Sequence, residues 1–254
     1  LLAVTPLALF ELFVLGAAAG MLGSLVGLGG GFLAVPVLRI AFAVAPVGVS
    51  GAALVMVLAN ALSASFAYIR QRRVEMRAAS FISATGIPAS VLGAIFVRYI
   101  PAVGFDLLYG ALLIYLSIDV LRKRAAPREH SREYCENIPL LLGAGLLMGF
   151  SSSFFGIGGG LIAIPALMFL GMHPHAVTAT STFAILLTSP VGVVAHHFEH
   201  DIDWNLALPL ALGGIIGGQI GPRIAQRLSS PRLLTVTAIT LIAAAVGLIL
   251  RHIL

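Results

Sequence analysis

The sequence predicts an all-α polytopic membrane protein made of two homologous repeats, with eight to ten membrane segments and helices broken at glycine-rich motifs. Three observations carry that reading: a composition too apolar for a water-facing shell, a series of apolar blocks of membrane-crossing length, and a glycine–proline pattern that occurs twice. Of the 254 residues, 59% are hydrophobic and only 10% charged, whereas a soluble domain carries roughly 25% charged residues because its surface meets water. Mean hydropathy is +1.04. The blocks Leu7–Val26, Val47–Ile69, Ile138–Phe155, Leu206–Ile220 and Leu233–Leu250 approach the roughly 20 apolar residues that a helix needs to cross about 30 Å of hydrocarbon.

The first block is expected to be a span rather than a cleavable signal peptide, since it lacks a basic n-region and runs directly into further membrane sequence. The single cysteine, Cys135, excludes an intramolecular disulfide and a cysteine-cluster metal site. No cofactor and no metal are expected.

The second block of evidence is a duplication. Residues 16–38 and 145–167 align without a gap at an offset of 129, with 10 of 23 positions identical. The matches pair Gly16 with Gly145, Gly20 with Gly149, Ser24 with Ser153, Gly27 with Gly156, Gly29–Gly31 with Gly158–Gly160 and Pro36 with Pro165. Chance can oppose leucines in apolar sequence, but not this glycine–proline frame. The chain therefore divides into an N-terminal transmembrane repeat (1–121), a polar cytoplasmic linker (122–137) and a C-terminal transmembrane repeat (138–254). Small residues at four-residue spacing, as in Gly16/Gly20, Gly145/Gly149 and Gly213/Gly217/Gly221, let membrane helices approach closely.

Loop charge bears on orientation, because cytoplasmic loops collect Lys and Arg. The turn at 70–77 holds Arg70, Arg72, Arg73 and Arg77. Its counterpart at 196–204 holds neither Arg nor Lys, but Glu199, Asp201, Asp203 and three histidines. Equivalent loops of opposite bias are expected on opposite faces. If the short segment after each glycine cluster crosses, each half has five crossings and the halves are inverted. If it dips in and returns, there are eight spans and parallel repeats. The loop charges favour inversion.

The motif GxGGGxxxxP stands at Gly27–Pro36 and again at Gly156–Pro165. Clustered glycines cost a helix roughly 1 kcal/mol each relative to alanine, so the helix should break there. Broken backbone in a bilayer is tolerated only where protein or a watery cavity satisfies its amides. A helix restarting at Gly31 or Gly160 points free N–H groups and a positive dipole end into that place, which suits an anion without any basic side chain. The alternative is that the glycines only permit tight packing and a turn. A P-loop or dinucleotide site is excluded: no Gly-Lys-Ser/Thr follows and no strand precedes.

The doubled motif in a small duplicated helical membrane protein resembles the TauE/SafE sulfite-exporter family. The run His175-Ala-Val-Thr-Ala-Thr-Ser-Thr and the turn Asp201-Ile-Asp-Trp are similar to that family's small-residue Thr-Ser run and Gly-x-Ile-Asp-Trp turn, with His200 in place of the turn glycine. In the first half Ser50 stands where the family often has Thr-Ser. The resemblance covers essentially the whole chain. It implies a secondary transporter of small sulfur-containing anions, sulfite or organosulfonates, in a plasma membrane. The expected partners are that anion and the lipid bilayer, with a second copy of the chain as a further candidate and no nucleic acid.

Polar groups inside spans are costly and often line a path. The candidate binding set is Gly27, Gly29, Gly30, Gly31, Pro36 and Ser50 from the first half, and Ser153, Gly156, Gly158, Gly159, Gly160, Pro165, Thr180 and Ser181 from the second. Each hydroxyl has the alternative of bonding its own helix backbone. Arg39 is expected to snorkel to an interface. His173, His175, His196, His197 and His200 suggest a metal site or a proton relay, but they flank turns at span ends, where they are expected to be solvated, without a carboxylate partner at a convincing spacing. Besides a carrier, the sequence leaves open an anion channel or a structural subunit. A membrane-embedded enzyme is disfavoured, since no nucleophile–base pair, paired aspartates or metal cluster is visible.

Overall fold

The computed structural model describes residues 5–124 and 137–228, and beyond them 235, 238–239, 241–243 and 245–247. Cys135 and most of the expected linker, 125–136, lie outside the described residues. Nine α-helices are assigned among the described residues: α1 (Pro6–Val26), α2 (Gly31–Ala41), α3 (Pro46–Arg70), α4 (Met76–Phe96), α5 (Ala102–Arg124), α6 (Ile138–Phe155), α7 (Gly160–Phe169), α8 (Pro174–Phe198) and α9 (Trp204–Ala225). No strand occurs among them. Among the described residues, five helices are long and apolar enough to cross a membrane: α1, α3, α4 with its 3-10 extension to Tyr99, α6 and α8. The ends follow from local sequence. Pro6, Pro46 and Pro174 open their helices, where a missing N–H costs nothing. Thr5 accepts from the Ala8 amide and Asp203 from Asn205, each satisfying an otherwise orphaned donor.

Two helix pairs form the flanks. On α1, a Cβ at Gly16 would stand 2.2 Å from the Leu210 carbonyl oxygen, one at Gly20 2.9 Å from the Gly214 Cα, and on α9 one at Gly221 2.1 Å from the Ser24 hydroxyl. The contacts advance together along both helices, so α1 and α9 run parallel. The same pattern joins α4 and α6: Gly145 lies against Ile82, Gly149 against Gly86, and Gly93 against Phe150. Direct backbone contact replaces side-chain interdigitation here, as van der Waals packing requires where lipid offers no hydrophobic drive.

α3 and α8 cross the middle of the molecule and run antiparallel. Gly51 near the start of α3 faces the Asp201 carbonyl just past α8, Leu54 lies against Gly192, and Ala64 and Tyr68 cluster with Ala179 near the start of α8. The turn at 70–77 accordingly sits beside the start of α8, where the Glu75 amide donates to the Thr180 hydroxyl at 3.0 Å. The turn at 196–204 sits beside the start of α3. These two turns therefore lie at opposite ends of the bundle.

Large apolar side chains point outward, including Leu7, Phe10, Leu62, Phe66, Leu212 and Phe198. Ser, Thr, Asn60, His196 and the Arg39–Asp106 pair are buried within. This is the reverse of a soluble protein. Arg39 departs from the expectation of snorkelling. It is 4% exposed and forks onto Asp106 of α5, Nε to Oδ1 at 2.8 Å and Nη2 to Oδ2 at 2.5 Å, while Nη1 donates to the Val44 carbonyl at 2.8 Å. The planar guanidinium matches a carboxylate bidentately, and a carboxylate 67 residues away in sequence kept the arginine inside.

Candidate functional site at the crossed glycine loops

α2 and α7 hold 11 and 10 residues, hence about 16 Å and 15 Å at 1.5 Å per residue, roughly half of the hydrocarbon thickness. Each begins deep inside the bundle. Gly30 packs against Ala19 and Gly20, Gly159 against Met148, and Gly29 and Gly158 both against Val57 and Ile185. Each then runs outward to the start of the next long helix. The break between long and short helix needs backbone that other residues avoid. Gly27, Gly29, Gly30, Gly156, Gly158 and Gly159 all have φ between +70° and +93°, the left-handed region where a Cβ is penalised.

The two loops cross and touch. A Cβ on Gly31 would lie 2.1 Å from the Gly156 carbonyl oxygen, and one on Gly160 would lie 2.3 Å from that of Gly27. The paired distances report an approximate two-fold relation between the loops. Both loops are fully buried. The first amides of α2 and α7 have no acceptor within their own helices, and neither Gly30 nor Gly159 provides a side-chain cap. Pro36 and Pro165 lie inside these helices, where each removes a further backbone bond.

The surrounding hydroxyls divide into two groups. Ser181 donates to the Gly27 carbonyl at 2.9 Å and Ser50 to Phe154 at 2.8 Å. These bonds satisfy carbonyls orphaned where α1 and α6 end. Thr182, Thr188 and Ser189 instead bond back to their own helix. Ser152 and Ser153 are buried with hydroxyls that have no partner. Of the expected set, the structure thus brings Ser50, Ser181 and all eight glycines to the crossing. Thr180 is not among them: it holds the 70–77 turn. Among the described residues no group of three or more metal-ligating side chains occurs.

Sequence reasoning passed over Tyr68 and read His196 as a solvated histidine at a span end. Tyr68 donates to the Ser24 carbonyl at 2.6 Å, and His196 Nε2 lies 2.9 Å from the Ser153 carbonyl. Each stands 22 positions after the proline opening its helix (46 to 68, 174 to 196), so one position in each half anchors the serine preceding the glycines. That shared register was the available signal. His196 also corrects the expectation of solvated, unpartnered histidines. It is fully buried, and Nδ1 faces Asp201 Oδ2 at 3.3 Å. Asp201 in turn holds Arg98 at 2.8 Å, and Arg98 pairs with Glu199 as well. Burial alone would raise the Asp201 carboxyl, but hydrogen bonds from His196 and Arg98 outweigh it and hold it below the usual carboxylate range.

A family model described as sulfite exporter TauE/SafE matches residues 12–248. The chain belongs to the TauE/SafE family. Among its relatives, the probable membrane transporter protein YunE of Bacillus subtilis is 30% identical over 223 residues, covering 78% of this chain and 82% of the relative. A probable membrane transporter protein of Xylella fastidiosa (strain Temecula1) is 30% identical over 245 residues, covering 92% and 90%. The probable membrane transporter protein YfcA of Escherichia coli K12 is 28% identical over 191 residues, covering 74% and 70%. No solved structure matches the chain. With five apolar helices of crossing length, this TauE/SafE member is a multi-pass membrane transporter protein.

Proposed function

We propose that this TauE/SafE protein is a secondary transporter of small sulfur-containing anions, sulfite or organosulfonates, working by alternating access about the crossed glycine loops. The observation that carries the reading is the meeting of two half-helices, each opening on positive-φ glycines, at the centre of the bundle. Half-helix N-termini aimed at a buried centre stabilise an anion through free amides and the dipole. The candidate contacts are Gly27, Gly29–Gly31 and Gly156–Gly160, with Ser153 adding a buried hydroxyl that has no other partner. Pro36 and Pro165 set the half-helices, and Ser50 and Ser181 brace the loops from α3 and α8. The antiparallel run of α3 and α8 supports reading 1–121 and 138–254 as inverted repeats. In an inverted pair, rocking one half against the other exposes a central site to each side in turn.

The test is radiolabelled sulfite flux into proteoliposomes, with sulfate, thiosulfate and small sulfonates as competitors. Wild-type protein should show saturable flux and counterflow. Ser153→Ala, which removes a hydroxyl without enlarging the side chain, should raise the half-saturation concentration by roughly 10-fold or more, since a hydrogen bond to a charged group contributes about 1.5–3 kcal/mol. Folded wild-type protein that moves none of these anions overturns the substrate class. Flux without saturation or counterflow overturns the carrier mechanism in favour of a channel.

A further inference from the structure

Tyr68 and His196 occupy the same place in the two halves, yet they differ in one chemical respect. The tyrosine hydroxyl has one proton to donate and uses it on the Ser24 carbonyl. The imidazole has two nitrogens, and both face acceptors: Nε2 faces the Ser153 carbonyl at 2.9 Å, and Nδ1 faces the Asp201 carboxylate at 3.3 Å. A carbonyl oxygen only accepts, so Nε2 carries a proton. A carboxylate held ionised by Arg98 also only accepts, so Nδ1 carries one too. The arrangement is satisfied in full only by an imidazolium.

We infer that His196, with Asp201, is a proton-binding site that ties the second glycine loop to the protonation state of one face of the transporter. Loss of the Nδ1 proton turns its lone pair onto the Asp201 carboxylate. Loss of the Nε2 proton turns that lone pair onto the Ser153 carbonyl. Either way one contact becomes repulsive and opens. Ser153 lies three residues before Gly156, so opening frees the segment that leads into Gly156–Gly160. Its own hydroxyl has no partner to retain it.

The path for the proton is short. His196 is fully buried, whereas the Arg98 and Glu199 side chains beside Asp201 are 36% and 35% exposed. The charged and titratable groups around the site are Arg98 from the turn after α4, Glu199, His200 and Asp201 from the turn after α8, His197 on α8, and Asp203 at the head of α9. Among the described residues, the α6 wall meets His196 through the Ser153 carbonyl, and α3 brings Ser50 to the neighbouring Phe154 carbonyl, both neutral groups. The arginine-bearing turn 70–77 is at the other end of the bundle. Protonation is therefore set at the end of the bundle where Arg98 meets the 196–204 turn, and the first half carries Tyr68, not an imidazole, at the same place.

This inference deepens the transporter reading and rests on it only for coupling. The experiment has two arms on full-length protein. In the first, nitrogen-15 histidine NMR in nanodiscs follows His196, assigned by His196→Gln, while hydrogen exchange follows residues 153–160. Glutamine keeps a donor for the Ser153 carbonyl but does not titrate. Expected are two protonated ring nitrogens at the low-pH end of a titration, loss of one as pH rises, and faster loop exchange over the same interval, absent in His196→Gln. A single neutral tautomer throughout, or identical loop exchange in wild type and variant, overturns the site. In the second arm, sulfite counterflow and pyranine-reported proton movement are compared in proteoliposomes. Sulfite flux with no proton movement, or with proton movement unchanged in His196→Gln, overturns the coupling. If sulfite is not carried at all, the substrate reading fails, and the first arm still decides the site.

Discussion

The two glycine loops share a backbone path and differ in the side chains that brace them. The crossing of Gly27–Gly31 over Gly156–Gly160 is nearly the same seen from either side, and α1 lies on α9 as α6 lies on α4. The side chains that brace this frame do not repeat. Arg39 and its Asp106 ion pair have Met168 at the arginine's place in the second half. Tyr68 has His196. Asn60, whose amide donates to both Gly20 and Gly214, has Thr188, which bonds only its own helix. Duplication preserved what the bilayer demands of a backbone, whereas titratable and ionic groups diverged, leaving each half with a different electrostatic anchor.

The sharpest way to break the comparison is to give the first half the second half's residue. Arg39→Met removes the guanidinium that forks onto the buried Asp106 carboxylate, and removing one partner of a buried pair costs about 3–5 kcal/mol. A large fall in thermal midpoint in detergent is expected. The double variant Arg39→Met with Asp106→Leu should recover most of it, since apolar replacement of a whole buried pair is often neutral. A single variant as stable as wild type would mean the pair contributes nothing to the fold.

Much of this frame was legible in the sequence, for physical reasons. Glycine and proline report backbone geometry directly, so the doubled GxGGGxxxxP run located both breaks, and the opposed charges of 70–77 and 196–204 anticipated two turns at opposite ends. Pairings across the fold were not legible. Arg39 and Asp106 meet at a sequence separation of 67. His196 and Asp201 are five apart, which is not a helical spacing: they meet because His200, at φ +59°, folds the turn back on α8. Thr180 looked like part of a hydroxyl cluster, yet its oxygen faces a turn amide rather than the loops.

The next prediction tests the equality of the two loops. Gly31→Ala and Gly160→Ala each press a methyl into the opposite loop's carbonyl, at 2.1 Å and 2.3 Å. The backbone has to shift, at a cost of about 1–3 kcal/mol as for other overpacked interiors. Matched losses in thermal midpoint, with flux reduced in both, fit a symmetric crossing. A loss confined to one variant would show that only one loop is rigidly held.

A smaller, pH-dependent difference should separate the two turns. The Asp201 carboxyl is held below its ordinary value, so its stabilising contribution is fully present above the unfolded value of roughly 3.9. That contribution is lost as pH falls through the lower folded value. Thermal midpoints of wild type and Asp201→Asn should stand apart just above about pH 4, with wild type higher, and converge as pH falls through the lower folded value. Parallel curves over the whole range would show that Asp201 adds nothing through its charge.

The mildest prediction distinguishes glycines that hold the frame from one that does not. Gly143 and Gly145 are both on α6, but a Cβ at Gly145 would lie 2.0 Å from the Ile82 carbonyl oxygen, while one at Gly143 meets nothing within 4 Å. The corresponding position in the first half, Val14, already carries a side chain, 46% exposed. Gly143→Ala should therefore stabilise by about 0.5–1 kcal/mol, the helix propensity of alanine over glycine, and leave flux unchanged. Gly145→Ala, two residues on, should destabilise by about 1–3 kcal/mol by separating α6 from α4. Opposite signs from the same substitution, read as thermal midpoints in detergent, would trace the backbone contact to one face of α6. Equal signs would mean that α6 is free to slide along α4, and that small residues there do not fix its register.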